Sequence, residues 1–336
     1  MYFLGNSPIK QTAKVWTRLP AEFRATGVSS PWANANKQGQ AIDSFLEGPV
    51  FDDAGNLYVS DIPFGRVFRI DPQGNWTLLV QYDGEPNGMK WLQPPSGSGV
   101  GNGEEGGEKG GSAGVLLITD YRNGLMTLDV ATAKVDRFLD RCHSESFKGV
   151  NDLTFDSKGN LYFTDQGQTG LHDPTGRVFC LDVDGRLTIL MDNIPSPNGI
   201  VLSPNEKVLF VGVTRGNEIW RAPLMSNGLV AKVNRFFSSH GPSGPDGLAM
   251  DVEGNLIIAN PGLGCVWLIN PRGEPIGVWE SPVASDSRES GAGNALTNIA
   301  FGGPDNKTLF CTESESGSIL IADFPHAGMP VLSGRV

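Results

Sequence analysis

Short apolar runs punctuated by Gly, Asn, Asp and Pro fill most of this chain. Residues 47–61 read EGPVFDDAGNLYVSD, residues 151–165 NDLTFDSKGNLYFTD, residues 198–213 NGIVLSPNEKVLFVGV, residues 246–260 DGLAMDVEGNLIIAN and residues 298–312 NIAFGGPDNKTLFCT. Each is a strand, a turn and a second strand. A sixth copy is split, NGMKW at 87–91 and VLLITD at 115–120. A third strand follows every copy: GRVFRID, GLMTLD, GRVFCLD, NEIWRAP, GCVWLIN and GSILIAD. A fourth follows most, as in WTLLVQY at 76–82 and LTILMDN at 187–193. Four strands recurring roughly every 40 to 50 residues predict an all-β, six-bladed β-propeller with four-stranded antiparallel blades.

One propeller domain is expected over residues 1–336. In it, the segment 1–42, TAKVWTRL above all, adds a strand to the last blade and closes the ring. The split in blade two, PPSGSGVGNGEEGGEKGGSAG at 94–114, cannot bury a core and is expected to be a flexible loop.

Composition agrees with a turn-rich β fold: 44 Gly and 23 Pro in 336 residues, 39% apolar. The net charge of −11 argues against a nucleic-acid surface. No apolar run is long enough to span a bilayer. MYFLGNSPIK lacks a basic region followed by a long apolar core, so, taking residue 1 as the native start, a cytoplasmic protein is expected. Cys142, Cys180, Cys265 and Cys311 are scattered, and the last three lie in strand-like runs, where free thiols are expected. The pattern leaves oligomeric state open.

In a propeller the first strand of each blade lines the central channel. The first residues of the six copies, Glu47, Asn87, Asn151, Asn198, Asp246 and Asn298, therefore converge at one mouth. All are oxygen donors. Two carboxylates and several amides form a hard-oxygen cage for a divalent cation. Calcium is the first choice, with Mg2+, Mn2+ or Zn2+ as alternatives, although the absence of His and Cys argues against zinc. The plain alternative is that Asn and Asp stand before Gly because they tolerate turns.

EGPVF, VNDLTFDSKGNLYFTD, SPNGIVLS and GPDGLAMDVEGNLIIAN resemble the SMP-30/gluconolactonase/luciferin-regenerating-enzyme family over about residues 43 to 325. The resemblance implies a divalent cation, often calcium, in the channel of a lactone hydrolase. It implies Glu47, Asn198 and Asp246 as metal ligands, with Asn151 as a ligand or a substrate contact. It gives Asp152 the candidate role of acid or base. Gly149, with Lys148 beside it, stands where the aldonolactonase branch has an arginine.

The expected reaction is cation-activated attack of water on a lactone carbonyl. Asp246 and Asp152 are candidate proton acceptors, although strict alternation points Asp152 away from Asn151. His240, on the connection into blade five, is a candidate proton shuttle or substrate contact, or else an exposed loop histidine. Asn87, Asn298 and His172 are candidate substrate contacts, and the loop around His172, DQGQTGLHDPTG, is the candidate lid. Asp61, Asp120, Asp165, Asn260 and Glu313 end second strands, where they orient ligands or simply make turns. No Gly-x-Ser-x-Gly elbow appears. Competing readings are hydrolysis of another cyclic carbonyl or an aryl ester at the same site, and a non-catalytic binding propeller with a structural ion.

Overall fold

The computed structural model describes residues 7–92, 114–282, 293–330 and 332. Six antiparallel sheets stand around a channel as blades. Blade one comprises Leu46–Phe51, Leu57–Asp61, Arg66–Ile70 and Trp76–Gln81, from the axis outward. Blade two comprises Pro86–Leu92, Val115–Asp120, Gly124–Asp129 and Lys134–Leu139. Blade three comprises Val150–Phe155, Leu161–Asp165, Gly176–Leu181 and Leu187–Ile194. Blade four comprises Pro197–Leu202, Val208–Val213, Glu218–Pro223 and Asn234–Ser238.

The N-terminal segment joins the ends of the ring. Lys14–Arg18 is the outer strand of blade six, antiparallel to Ser318–Asp323, beyond which lie Thr308–Glu313 and Leu296–Gly302. Ile9–Thr12 adds a fifth strand to blade five, parallel to Pro275–Glu280 and outside Cys265–Ile269, Leu256–Asn260 and Leu248–Met250. The Gly-rich stretch 94–114 lies outside the described residues except for Gly114.

Second strands are buried on both faces, so LYVSD, LYFTD and LIIAN read as continuous apolar runs ending in a polar residue. Each neighbouring pair of blades shares an apolar layer. Tyr58 of blade one stacks on Trp91 of blade two at 5.5 Å, and Phe51 meets Phe310 edge-on where blade one adjoins blade six. These layers run from blade to blade right around the ring. All four cysteines are free, with Cys142, Cys265 and Cys311 buried. Among the described residues no helix is long and apolar enough to cross a membrane.

Two features build the mouth. First, in five blades the inner strand slips its register near its first residues: Glu47/Val50, Pro86/Met89, Val150/Leu153, Pro197/Ile200 and Leu296/Asn298. Such bulges re-aim side chains that pleating would otherwise alternate. Second, the residue after each mouth position touches the next blade. A Cβ on Gly199 would overlap the carbonyl oxygen of Asp246 and lie 2.7 Å from the amide nitrogen of Leu248. Gly48 meets the carbonyl of Asn87 in the same way. Gly199→Ala is therefore expected to lower stability by about 1–3 kcal/mol or more through overpacking. Urea denaturation, read as a fall in midpoint at constant slope, checks this.

Candidate metal centre

Glu47, Asn87, Asn151, Asn198, Asp246 and Thr297 line one cavity of about 880 Å3 at the channel mouth. Five of these are the residues that begin their blades in the sequence pattern. The sixth corrects the expected register. Leu296 pairs with Glu313 as Leu46 pairs with Asp61, so Thr297 takes the position of Glu47 and Asn298 that of Gly48. Asn298 lies one step deeper, and its amide Nδ2 donates to Glu47 Oε2 at 2.9 Å.

Asp152 occupies the same deeper position in blade three. Its Oδ1 accepts from the Leu153 amide at 2.8 Å, and it is absent from the cavity lining. Its absence from the lining agrees with the alternation that points it away from Asn151, and its carboxylate faces Gly88 of blade two. Burial raises its pKa, with Lys90 opposing.

Glu47 is buried and Asp246 half-buried, and neither forms an ion pair among the described residues. Burial pushes Glu47 up to about 7 against hydrogen bonds from Gly48 and Asn298. Burial first, then the charge of Glu47, raises Asp246 well above the carboxylate range, against Lys37 and a hydrogen bond from Asn198. Two more oxygens face inward unused: Asn87 Oδ1 and Asn151 Oδ1 are buried and accept no hydrogen bond. Buried polar atoms are ordinarily partnered, so orphaned acceptors beside uncompensated carboxylates are what a hard cation would complete. Among the described residues no three His, Cys, Asp or Glu side chains gather as a metal-ligating cluster, so the amides of Asn151 and Asn198 are indispensable to such a site. The donor set fits a divalent cation of the calcium type better than zinc.

An outer layer holds these donors in place. Gln166 bridges two strand starts: its Oε1 accepts from Asn151 Nδ2 at 2.9 Å and its Nε2 donates to Ser196 Oγ at 3.0 Å. This leaves Asn151 Oδ1 turned inward. The carboxylates ending second strands accept from the segment entering their own blade. Asp61 takes the Phe45 amide at 2.7 Å, Asp120 that of Glu85 at 3.0 Å, Asp165 those of Lys148 and Gly149, and Glu313 that of Ala295. Asn260 donates instead to Ser239 Oγ.

The roof of the cavity comes from a segment the repeat pattern did not reveal. Residues 24–45 cross the mouth and include a short helix, Pro31–Asn36, capped by Ser30. Trp32 packs on Phe45 at 4.8 Å and on Ile62. Lys37 follows the helix, half-buried, with Nζ 4.1 Å from the centre of the Phe45 ring. Burial lowers its pKa, and the charge of Asp246 opposes that shift. The expected lid loop of blade three contributes Gln166 to the lining, and its Gln168 Nε2 bridges Asn36 Oδ1 at 2.9 Å and Tyr121 Oη at 2.8 Å. His172 and His240 are both exposed and outside the cavity lining, because their loops turn their tips to solvent. Where the aldonolactonase branch carries arginine, a side chain on Gly149 would collide with the ring of Tyr121, and Lys148 Nζ is engaged with Thr175 Oγ1 at 2.6 Å.

The family model for the SMP-30/gluconolactonase/LRE-like region matches residues 45–315. A protein named lactonase drp35 from Staphylococcus aureus (strain USA300) is 30% identical over 309 residues, covering 88% of this chain and 86% of that one. Among solved structures, regucalcin from Agrobacterium tumefaciens, described as a calcium-binding protein, superposes with a TM-score of 0.70 at 20% identity, covering 98% of this chain and all of that one. A gluconolactonase from Xanthomonas campestris superposes at 0.66 and 19% identity, over 94% of this chain and 95% of that one.

Replacing Gln166 by Leu frees the Asn151 amide to rotate. Cation affinity by calorimetry is expected to fall about 10- to 100-fold, the usual effect of losing an outer partner. Thermal stability should stay close to that of the parent.

Proposed function

This chain belongs to the SMP-30/gluconolactonase/LRE-like family, and on that premise we propose that it is a lactonase that depends on a divalent cation, most plausibly calcium. The observation that supports this reading best is the mouth itself. Buried Glu47 and half-buried Asp246, without ion-pair partners among the described residues, line one cavity with Asn87 and Asn151, whose amide oxygens are orphaned, in a chain 30% identical to a protein named a lactonase.

Glu47, Asn151, Asn198 and Asp246 would hold the cation. When bound, it supplies Lewis-acid polarisation of a carbonyl and acidifies a coordinated water. The chain's own residues do the remainder. Asn87 presents a free amide oxygen to the cavity and is placed to accept from a substrate hydroxyl or the attacking water. Asp246 is the candidate proton acceptor that lines the cavity, and we assign that role to its carboxylate oxygens. Asp152 acts from below: its negative charge adds to the field on Glu47 and Asp246 without reaching the cavity surface. Asn298 positions Glu47 through its 2.9 Å hydrogen bond. The exposed His172 and His240 are given no step. Trp32, Phe45 and Tyr121 in the lining restrict water and offer apolar surface to a ring.

Chelation is expected to abolish hydrolysis of a small lactone panel followed by pH-stat, and one added cation should restore it. Glu47→Gln and Asp246→Asn should each cut cation affinity and kcat/KM by roughly a hundredfold or more, beyond the effect of outer-layer changes. Tight calcium binding without turnover of any lactone would overturn the catalytic reading and leave a structural ion.

A further inference from the structure

The cavity carries an electrostatic feature that the metal site leaves unused. Lys37 faces the same space as Glu47 and Asp246, and it forms no ion pair with a carboxylate among the described residues. A half-buried ammonium without such a partner is unusual, because desolvating a cation is costly unless an anion compensates it. Its position is also built rather than incidental. Ser30 Oγ caps the preceding helix and donates to the Pro63 carbonyl at 2.9 Å. Trp32 is buried against Ile62 and Phe45, Asn36 is tied to Gln168, and the Phe45 ring seats the Lys37 head.

The other charges at the mouth divide unevenly. Arg24 is spent on Asp43 at 2.9 Å and on the Ser316 carbonyl at 2.6 Å. Glu315 is held by the Asn294 amide at 2.9 Å. Arg215 lines the cavity and is exposed at its edge, again without an ion pair among the described residues. Lys37 feels Asp246, Glu315 and Glu47 as attractive charges and Arg215 as a repulsive one. Once a dication engages Glu47 and Asp246, the attraction they exert on Lys37 is cancelled. The floor of the cavity is then close to neutral, and the positive charge around the void comes from Lys37 at its roof and Arg215 at its rim, with Glu315 the remaining carboxylate at the rim. Such a void selects an anion.

We propose that the preferred substrates are lactones bearing a carboxylate substituent, with the ring carbonyl directed to the mouth residues and the carboxylate held by Lys37 under the rim charge of Arg215. This rests on the lactonase reading for its chemistry and goes beyond it in naming the substrate class. Hydrolysis breaks the ring acyl C–O bond and adds one water, so the product is a dianion with one new carboxylate and one new hydroxyl, and one proton passes to solvent. The Lys37 contact acts on the substituent, not on the bond that breaks.

The test pairs butyrolactone with its ring-carboxylated counterpart, whose open forms are 4-hydroxybutyrate and 2-hydroxyglutarate. Binding of the two open forms to the calcium-loaded protein is measured by calorimetry, and kcat/KM is measured for the two lactones. The parent should bind 2-hydroxyglutarate at least tenfold more tightly than 4-hydroxybutyrate. Lys37→Met should collapse that ratio towards one, Lys37→Arg should keep most of it, and Arg215→Met should reduce it partly and make it less sensitive to salt. The kcat/KM ratio should follow the same order, through KM. No measurable 2-hydroxyglutarate binding, no preference in the parent, or an equal loss for both ligands in Lys37→Met overturns the proposal. Failure of the lactonase reading looks different: a dianion preference that depends on Lys37, without turnover of either lactone.

Discussion

One buried and one half-buried carboxylate, Glu47 and Asp246, neither with an ion-pair partner among the described residues, set the terms for this protein. Taking Glu47 and Asp246 out of water costs several kcal/mol each unless a counter-charge offsets it. One shell further out, the same fold solves the same problem with arginine. Asp61 pairs with Arg66, and Asp165 pairs with Arg177 at 2.6 Å. The contrast is informative because Glu47 is nearly as buried as Asp61 and Asp165 and yet has no guanidinium beside it. At Asp61 and Asp165 the carboxylate that holds a loop has a guanidinium beside it, whereas Asp120 accepts from Tyr82 Oη at 2.8 Å and Glu313 from the amides of Ala295 and Ser316. Where carboxylates meet at the axis, the chain supplies amides instead, which hydrogen-bond them and cannot neutralise them. A positive charge from outside would complete that arrangement.

Holding so polar a mouth together requires a rigid collar. The hydroxyls of second strands provide much of it. Ser60 Oγ donates to the carbonyl of Asn87 at 2.8 Å, and Thr164 Oγ1 to that of Asn198 at 2.8 Å, each crossing to the next blade. Thr119 reaches the Asn151 carbonyl in the same way. These hydroxyls stand one residue before Asp61, Asp120 and Asp165, so Ser-Asp and Thr-Asp pairs do two jobs. The hydroxyl fixes the neighbouring blade's mouth residue, and the carboxylate fixes the segment entering its own. Backbones that approach this closely leave no room for a Cβ at Gly48 or Gly199. Around the collar, apolar layers shared between blades supply the burial that sustains its cost.

The propeller was legible in the sequence because every blade must make the same strands from local pattern, and six imperfect copies reinforce one another. The mouth residues Glu47, Asn87, Asn151, Asn198 and Asp246 were legible for the same reason: aligned copies place them at one height. Legibility ended where the chain departs from ideal pleating. The bulge in five of the six inner strands adds a residue that period-two reasoning does not count, and in blade six it put Asn298 where Thr297 belongs. Gln166 was missed because its role depends on a contact between two loops, and nothing local distinguishes it. A weak signal did exist for the outer carboxylates. The recurrent VSD, ITD and FTD endings, followed soon by Arg in GRVF, mark Asp61–Arg66 and Asp165–Arg177 as repeated ion pairs.

Lys37 was illegible for a deeper reason, since it lies outside the repeat altogether. The N-terminal segment contributes Ile9–Thr12 to blade five and Lys14–Arg18 to blade six, then runs over the mouth before blade one begins. One continuous stretch thus closes the ring and roofs the cavity. The two roles are mechanically linked: Leu19 is buried in the layer between blades six and one, and Arg24 and Asp43 pin the two ends of the covering segment to each other beside Ser316. A propeller's blades are near-copies, so its channel tends toward symmetry and offers little to tell one end of a ligand from the other. Asymmetry has to enter from a segment that is not a blade. Here that segment brings the one ammonium that lines the cavity among the described residues and the aromatic ring that seats it, and it brings them anchored to the seam on which the whole ring depends. Ligand discrimination and ring closure therefore share a single stretch of chain, and sequence changes between Ile9 and Phe45 act on both.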